Sequence, residues 1–386
     1  MSVIAVFLIQ STNRRGLLEM RPRTALLLLV ICLGTCVVGF SQTKKDDDEV
    51  LKIDTQLVDV PVVITDKTGK PILNLKENNF TVFEDGKQQE VTQFGATSAP
   101  FEVALLLDTS GSTRADIELI QRAAQYFIAS LRPGDRVAVI AYRTDKTPDR
   151  ALAVSEVLSS LTEDRAKLKT AVEKAGVSNG TPYYDSLVQV ADRVFGDKPK
   201  DEFRGRRALV ALTDGVDSTS SADFNQAKER LEATGIAAYF VQVDTREFFE
   251  ENLMGDCDTA IRFSAAQIRR YFAMFKSNDV EKTTDFCKLG EFERLAISKK
   301  LYEIADNEMT TLAKESGGKV FPVADLSEAR GAFKQVADEI GTKYSLGYYS
   351  SNEKHDGTYR KIKVVLKGVP AGTQIRAREG YTAPAN

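Results

Sequence analysis

Val103-Ala104-Leu105-Leu106-Leu107-Asp108-Thr109-Ser110-Gly111-Ser112 is the segment on which the architecture turns. Its apolar half does not alternate with polar residues, so it reads as a strand buried on both faces, and it runs directly into an aspartate and a hydroxyl-rich turn. A helical stretch follows over about 115–131, with Ile117, Ile120, Ala124, Phe127 and Ile128 at helical spacing. The pattern then repeats. Strands are expected at 136–142, 208–213, 237–243 and 319–323. Helices are expected near 163–175, 182–195, 221–234, 296–316 and 326–341. Apolar strands alternating with amphipathic helices make a parallel sheet covered on both faces. The expected fold is therefore a doubly wound α/β domain, Rossmann-like and mainly parallel, over 101–342.

Residues 246–295 interrupt that pattern with both downstream cysteines and the aromatic group Phe248, Phe249, Phe263, Tyr271, Phe272 and Phe275. An inserted, partly helical subdomain over the carboxyl edge of the sheet is expected there. It is either an ordinary packed excursion or a partner-specific cap.

Short strands flank the α/β region on both sides. In 51–98 the apolar residues Leu57, Val58, Val60, Val62, Val63 and Ile64 crowd one run. Asp66 to Lys70 marks a turn, and Asp85-Gly86 marks a hairpin. In 343–386 strands are expected at 344–349, 359–366 and 374–378. Each segment is too small to bury a core alone. Together they are expected to form one sandwich beside the α/β domain, so that deleting 343–386 also destabilises 51–98.

The chain has 386 residues with 52 Lys+Arg and 55 Asp+Glu. Arg21-Pro22-Arg23 precedes an uncharged run over 24–40 that ends in small residues. This reads as a secretory signal over 1–41 with cleavage after Ser41, and 42–50 reads as a polar linker. An uncleaved transmembrane anchor is the alternative, because the run is near the lower length limit for a span. Translation from Met20 is equally compatible with the pattern. The pair Arg14-Arg15 is a weak twin-arginine signal, and Leu33-Gly34-Thr35-Cys36 is a poor lipoprotein box. Export places the protein in the periplasm, in the cell envelope or outside the cell. Without the first 41 residues the chain is mildly acidic, which argues against nucleic acid or anionic lipid as partner. Any membrane contact is then made through the signal or anchor segment alone. Cys32 and Cys36 leave with the leader, and Cys257 and Cys287 remain. In an oxidising compartment two such cysteines pair as a rule; two buried free thiols are the alternative.

His355 is the single histidine, and there is no Trp. A His-rich metal site is thereby excluded, a Ser-His-Asp triad would have to rest on His355 alone, and metal ligands must come mostly from oxygen or cysteine. Oxygen side chains cluster at the expected strand ends: Asp108, Ser110 and Ser112 after one buried strand, Thr181 before a helix, and Asp214 after another strand. In doubly wound sheets those ends face a common crevice. Carboxylates and hydroxyls around one point suit a hard divalent cation with few charged ligands. Such a cation accepts a further carboxylate from outside. Taken singly each motif has a plainer reading. Asp108 to Ser112 is also a capped loop, Asp214-Gly215 a turn, and Thr181-Pro182 a helix N-cap followed by proline at the first helical position. Asp185, Asp217 and Ser218 read as supporting or capping residues, His355 as an exposed turn residue, and Arg204, Arg206 and Arg207 as a solvated strand entrance.

The spacing Asp108-x-Ser110-x-Ser112, then Thr181, then Asp214 resembles the metal-ion-dependent adhesion site of von Willebrand factor type A domains. The resemblance covers 101–342 with 246–295 as a departure, and the leader and β segments resemble bacterial VWFA-related proteins. It implies direct coordination by Ser110 and Ser112, and by Thr181 directly or through water. Asp108 and Asp214 act largely through water and hydroxyl hydrogen bonds. The implied cation is Mg2+ or Mn2+, and the implied partner is a protein presenting Asp or Glu. A metal-dependent binding module is the leading function. A structural envelope scaffold with a bracing metal is one alternative. The other is a magnesium-dependent phosphoryl-transfer enzyme, but no phosphate-binding Gly-rich motif, cationic clamp or general base is evident.

Overall fold

Alternating valines build the first strand of the described chain. A computed structural model describes residues 57–111, 117–146, 151–274 and 284–385, all within the unit Thr55–Asn386. The expected leader 1–41, the linker 42–50, Ser112 and Phe275 lie outside the described residues. In β1 (Leu57–Thr65) the side chains of Val58, Val60, Val62 and Ile64 are buried together. The turn after it is closed by Asp66, whose carboxylate accepts from Thr68 N at 2.8 Å and Lys70 N at 3.0 Å. β2 (Phe80–Glu84) and β3 (Lys87–Gln89) are joined by Asp85 and Gly86, with φ 47° and 84°. Two successive left-handed residues make the two-residue turn whose twist matches a hairpin. β4 (Val91–Gly95) leads to the central domain.

There the chain runs through β5 (Glu102–Leu107), α1 (Ile117–Ser130), β6 (Arg136–Lys146), β7 (Ala151–Thr162), α2 (Arg165–Glu173) and α3 (Tyr183–Gln189). It continues through β8 (Arg207–Thr213), α4 (Phe224–Thr234), β9 (Ala237–Val243), α5 (Arg246–Leu253), α6 (Ala265–Ala273), α7 (Glu291–Ser316), β10 (Lys319–Val323) and α8 (Ala329–Gly341). These strands form one sheet in the order β10-β9-β8-β5-β6-β7, parallel except for β7. Side chains alternate between its two faces. Val103, Leu105 and Leu107 join the core under α1 and α8, including Phe127 and Phe333. Ala104 and Leu106 join the core under α3 and α7, including Leu187 and Met309. Burial on both faces explains why these strands read as unbroken apolar runs.

The strand β7 was not expected from the sequence. It is an antiparallel edge strand, half-buried along most of its length, so it carries no apolar run. α7 begins at Glu291 rather than near 296, behind Gly290. Between β9 and α7, the two helices α5 and α6 and the first turns of α7 enclose a small core of Leu253, Phe263, Ile268, Phe272, Phe286, Leu289, Ile297 and Leu301. Cys257 and Cys287 form a disulfide across it, with Cα atoms 5.3 Å apart. Phe248 stays exposed.

The tail adds β11 (Tyr344–Tyr349), β12 (Tyr359–Leu366), β13 (Gln374–Ala377) and β14 (Gly380–Thr382). Head and tail strands interleave in two sheets, ordered β13-β1-β11-β4 and β14-β12-β2-β3. Their facing side chains share one core, in which Val60 and Tyr348 from the first sheet meet Val82 and Val364 from the second. The flanking segments therefore form a single sandwich.

The seam between sandwich and α/β domain corrects one expectation. Arg206 is 1% exposed and Arg207 7%, so this is no solvated entrance. Arg206 donates to the carbonyls of Pro100 (3.0 Å), Ala96 (3.1 Å), Ala99 (2.5 Å) and Lys343 (2.9 Å), with its guanidinium 4.3 Å from the centre of the Phe101 ring. It thus grips both connections between the two bodies. Arg207 pairs with buried Glu102 at 2.8 Å, and Arg136 completes the group at 2.7 Å. A guanidinium offers enough directed donors to make such burial tolerable. His355 is half-buried rather than fully exposed.

Candidate metal centre

Pairing of β5 with β8 brings the first acidic residue into place. Leu107 lies opposite Leu212 in the parallel register, so Asp108 and Thr213 emerge side by side at the carboxyl end of the sheet. The sheet order runs outward in opposite directions from this pair, which makes it the switch point where a crevice opens. Asp108 N donates to Leu212 O at 2.9 Å. One carboxylate oxygen of Asp108 accepts from Ser110 N (3.0 Å) and the other from Thr213 Oγ1 (2.7 Å). Thr213 Oγ1 in turn accepts from Gly215 N at 2.9 Å. Gly215 has φ 74°, and a Cβ there would meet the Met309 side chain at 2.9 Å, so the turn demands glycine.

Asp214 is held on both oxygens. Oδ1 accepts from Val216 N at 2.9 Å, and Oδ2 accepts from Thr245 Oγ1 at 2.6 Å. Thr245 Oγ1 is also 2.7 Å from Tyr302 Oη. The single hydroxyl proton of Thr245 goes to the carboxylate, so Tyr302 is the donor in the second bond. A chain of hydroxyls therefore runs from α7 through the start of α5 to Asp214.

Thr181 sits on the neighbouring loop, 7% exposed. Ser178 N donates to Thr109 O at 2.7 Å, which docks this loop on the turn after β5. Thr181 N donates to Ser218 Oγ at 2.8 Å, and Thr181 O accepts from Ser218 N at 3.0 Å. The loops carrying Thr181 and Asp214 are thus stitched together. Gly180 permits this approach, since a Cβ would lie 2.7 Å from the Thr219 side chain. The helix reading of this stretch shifts by one residue. Pro182 rather than Thr181 is the N-cap of α3, and it makes no side-chain cap bond. Asp217 performs that role from another loop, accepting from Tyr183 N at 2.9 Å and Tyr184 N at 3.4 Å. Asp185 accepts from Ser221 N (3.0 Å) and Ala222 N (2.8 Å), a structural task in keeping with its expected supporting role.

Of the five candidate ligands, Asp108, Ser110, Thr181 and Asp214 lie on loops that the fold brings to one end of the sheet. Ser112 lies outside the described residues. Thr213, Thr245 and Tyr302 were missed from the sequence, whereas Asp217 caps as expected, though it caps α3 from another loop. Thr213 does follow a buried strand residue, as Asp108 does, and that signal was available; Thr245 lies two residues past the end of β9, behind exposed Asp244. Tyr302 carries none, because it sits in the middle of an ordinary amphipathic helix.

The electrostatics of the pair bear on what it accepts. Asp108 is 2% exposed, and burial raises its pKa against the hydrogen bonds from Ser110 and Thr213. Asp214 is pushed up to about 7, first by desolvation and then by the charge of Asp108. Two neighbouring carboxylates that resist ionisation are what a cation would relieve. Among the described residues no three His, Cys, Asp or Glu side chains converge, so the donor set is two carboxylates with hydroxyls. Hard oxygen donors of low total charge fit a divalent cation that keeps some of its water.

The family model of the von Willebrand factor type A domain matches residues 103–216. Among curated proteins none matches this sequence. Several solved structures are similar. BatB from Bacteroides thetaiotaomicron is 19% identical and covers 62% of this chain and 98% of its own, with a TM-score of 0.38. A von Willebrand factor type A protein from Catenulispora acidiphila is 14% identical over 86% of this chain and 75% of its own, with a TM-score of 0.41. Proximal thread matrix protein 1 from the mussel byssus, in a form with a zinc-occupied MIDAS motif, is 13% identical over 62% of this chain and 48% of its own, with a TM-score of 0.39. The matched stretch begins inside β5 and ends just past Asp214, so the similarity to the von Willebrand factor type A domain spans every candidate ligand.

Proposed function

We propose that this chain is an exported protein that binds a protein partner through a divalent cation held by Ser110, Ser112, Thr181, Asp108 and Asp214. The observation that carries the reading is the pair Asp108 and Asp214 at the ends of adjacent parallel strands, with the Thr213 hydroxyl between them in sequence donating to Asp108 and accepting from Gly215 N. Ser110, Ser112 and Thr181 are the direct ligands in this reading, and the two aspartates orient bound water and hydroxyls. When bound, Mg2+ or Mn2+ supplies a centre short of negative ligands that takes an Asp or Glu carboxylate from the partner. Asp214 keeps its place for this through Val216 N and Thr245 Oγ1. Nothing in the arrangement breaks a bond. We therefore read the domain as a module that binds through the cation, with the aspartates and hydroxyls serving to hold it.

The uncharged run 24–40 supports export, and the Cys257–Cys287 disulfide fits an oxidising compartment. Among the described residues no helix is long and apolar enough to cross a membrane.

Isothermal titration with Mg2+ and Mn2+ tests the site. Binding by the wild type should vanish in Asp108→Ala and Asp214→Ala while far-UV circular dichroism stays unchanged. Affinity capture from envelope extract, with and without EDTA, then tests the partner. Unaltered metal affinity in both variants would remove the reading, and a partner captured equally well in EDTA would remove its carboxylate-bridging part.

A further inference from the structure

Helix α7 is 26 residues long, and one side of it reaches both arms of the candidate centre. Tyr302 and Met309 are seven residues apart and so share a face. Tyr302 backs Thr245, which holds Asp214. Met309 packs over Gly215, the next residue. Glu308 accepts from Tyr184 Oη at 2.7 Å and pairs with Arg270 of α6. Tyr184 stands in the first turn of α3, three residues beyond Thr181.

The start of the same helix is built into the inserted cap. Ile297 and Leu301 belong to the cap core. Buried Arg294 donates to the carbonyls of Leu253 (3.1 Å), Gly255 (3.0 Å) and Leu289 (3.1 Å). Those carbonyls flank the disulfide, since Cys257 follows Gly255 by two residues and Cys287 precedes Leu289 by two. Cys287 is exposed and Cys257 half-buried, so the bond is open to a reductant.

We propose that Thr245 and Tyr302 are positioning residues for Asp214, and that the Cys257–Cys287 bond, by fixing the cap and the start of α7, sets the affinity of the centre for its cation. The inference rests on the reading that the centre binds a divalent cation. Thiol–disulfide exchange then lowers that affinity. Two electrons from a dithiol convert the bond to two cysteine thiols, and the dithiol becomes its own cyclic disulfide.

The test is Mg2+ titration calorimetry on the full-length protein. Thr245→Val and Tyr302→Phe should each weaken Mg2+ binding by ~10-fold, the lower end of what lost outer hydrogen bonds do to metal sites. Thr245→Ser keeps the hydroxyl and should bind as the wild type does. Dithiothreitol should weaken wild-type binding several-fold, and the Cys257→Ser/Cys287→Ser double variant should match the reduced protein and ignore the reagent. Circular dichroism of the metal-free proteins separates lost positioning from lost folding. Wild-type affinity in Thr245→Val and Tyr302→Phe would overturn the positioning role. Affinity that ignores reduction would overturn the role of the disulfide. A wild type that binds no Mg2+ and no Mn2+ would overturn the metal reading itself, and this inference with it.

Discussion

Replacing Asp59 by Asn should make the protein more stable at neutral pH and erase part of its pH dependence. Asp59 lies on β1, where the sandwich meets the α/β domain near Gly205 and Gly235. One of its carboxylate oxygens is buried with no hydrogen-bond partner. Desolvation raises its pKa from 3.8 to about 6, and the charges of Arg204 and Arg378 and a bond from Gly205 N offset only part of that rise. The sign follows from proton counting. Between these two values the folded protein keeps a proton that the unfolded chain has released, so stability falls as pH rises. At ~1.4 kcal/mol per unit the total is about 3 kcal/mol, complete just above pH 6. Urea denaturation followed by circular dichroism, in EDTA and at steps from pH 3.5 to 8, measures it. Wild type and Asp59→Asn should coincide near pH 3.5, and the variant should be up to ~3 kcal/mol more stable at pH 7.5. Parallel curves across the range would show that Asp59 ionises as freely in the folded state as in the unfolded one, and the desolvation argument would fail.

Arg206→Met should cost ~2–4 kcal/mol. Arg132 also reaches Thr97 and Ala99, but the Pro100 and Lys343 carbonyls lose the guanidinium, at ~1–3 kcal/mol each. Chemical denaturation checks it, and a change below 0.5 kcal/mol, roughly the noise of a surface substitution, would refute the clamp. Glu102→Gln leaves Arg207 and Arg136 facing a neutral group and should destabilise by ~3 kcal/mol, read from the same experiment. Gly86→Ala places a Cβ at φ 84° in the β2–β3 hairpin and should lower stability by ~1 kcal/mol, visible as a drop of a few degrees in melting temperature.

The central sheet was legible because burial on both faces writes itself into the chain as unbroken apolar runs such as 103–107 and 208–212. The Asp85-Gly86 hairpin was legible because both residues must be left-handed, and few residue pairs tolerate that. The strand β7 was hidden because an edge strand needs no continuous apolar face. Arg206 was misread for a physical reason too. A cluster of arginines ordinarily stays in water, and the carbonyls that repay its burial come from 96–100 and from Lys343, remote in sequence. The oxygen side chains at the strand ends announced the candidate centre. Their scaffolding did not, because Tyr302 acts on Asp214 only through the tertiary packing of α7.

The interleaving of head and tail strands sets a schedule for biosynthesis. β1 emerges from the ribosome long before its neighbours β11 and β13, which lie about three hundred residues downstream. Closing a loop of nearly three hundred flexible residues would cost on the order of 5 kcal/mol in chain entropy. A central domain that is already folded removes most of that cost, because Arg132 and Arg206 hold its entry and exit segments, 96–100 and 341–343, together. The nascent chain therefore carries orphan β-strands until the segment 344–382 arrives, and a product truncated before it would display them to quality-control proteases. Folding of the sandwich waits for β11 to β14, however early its first strands are made.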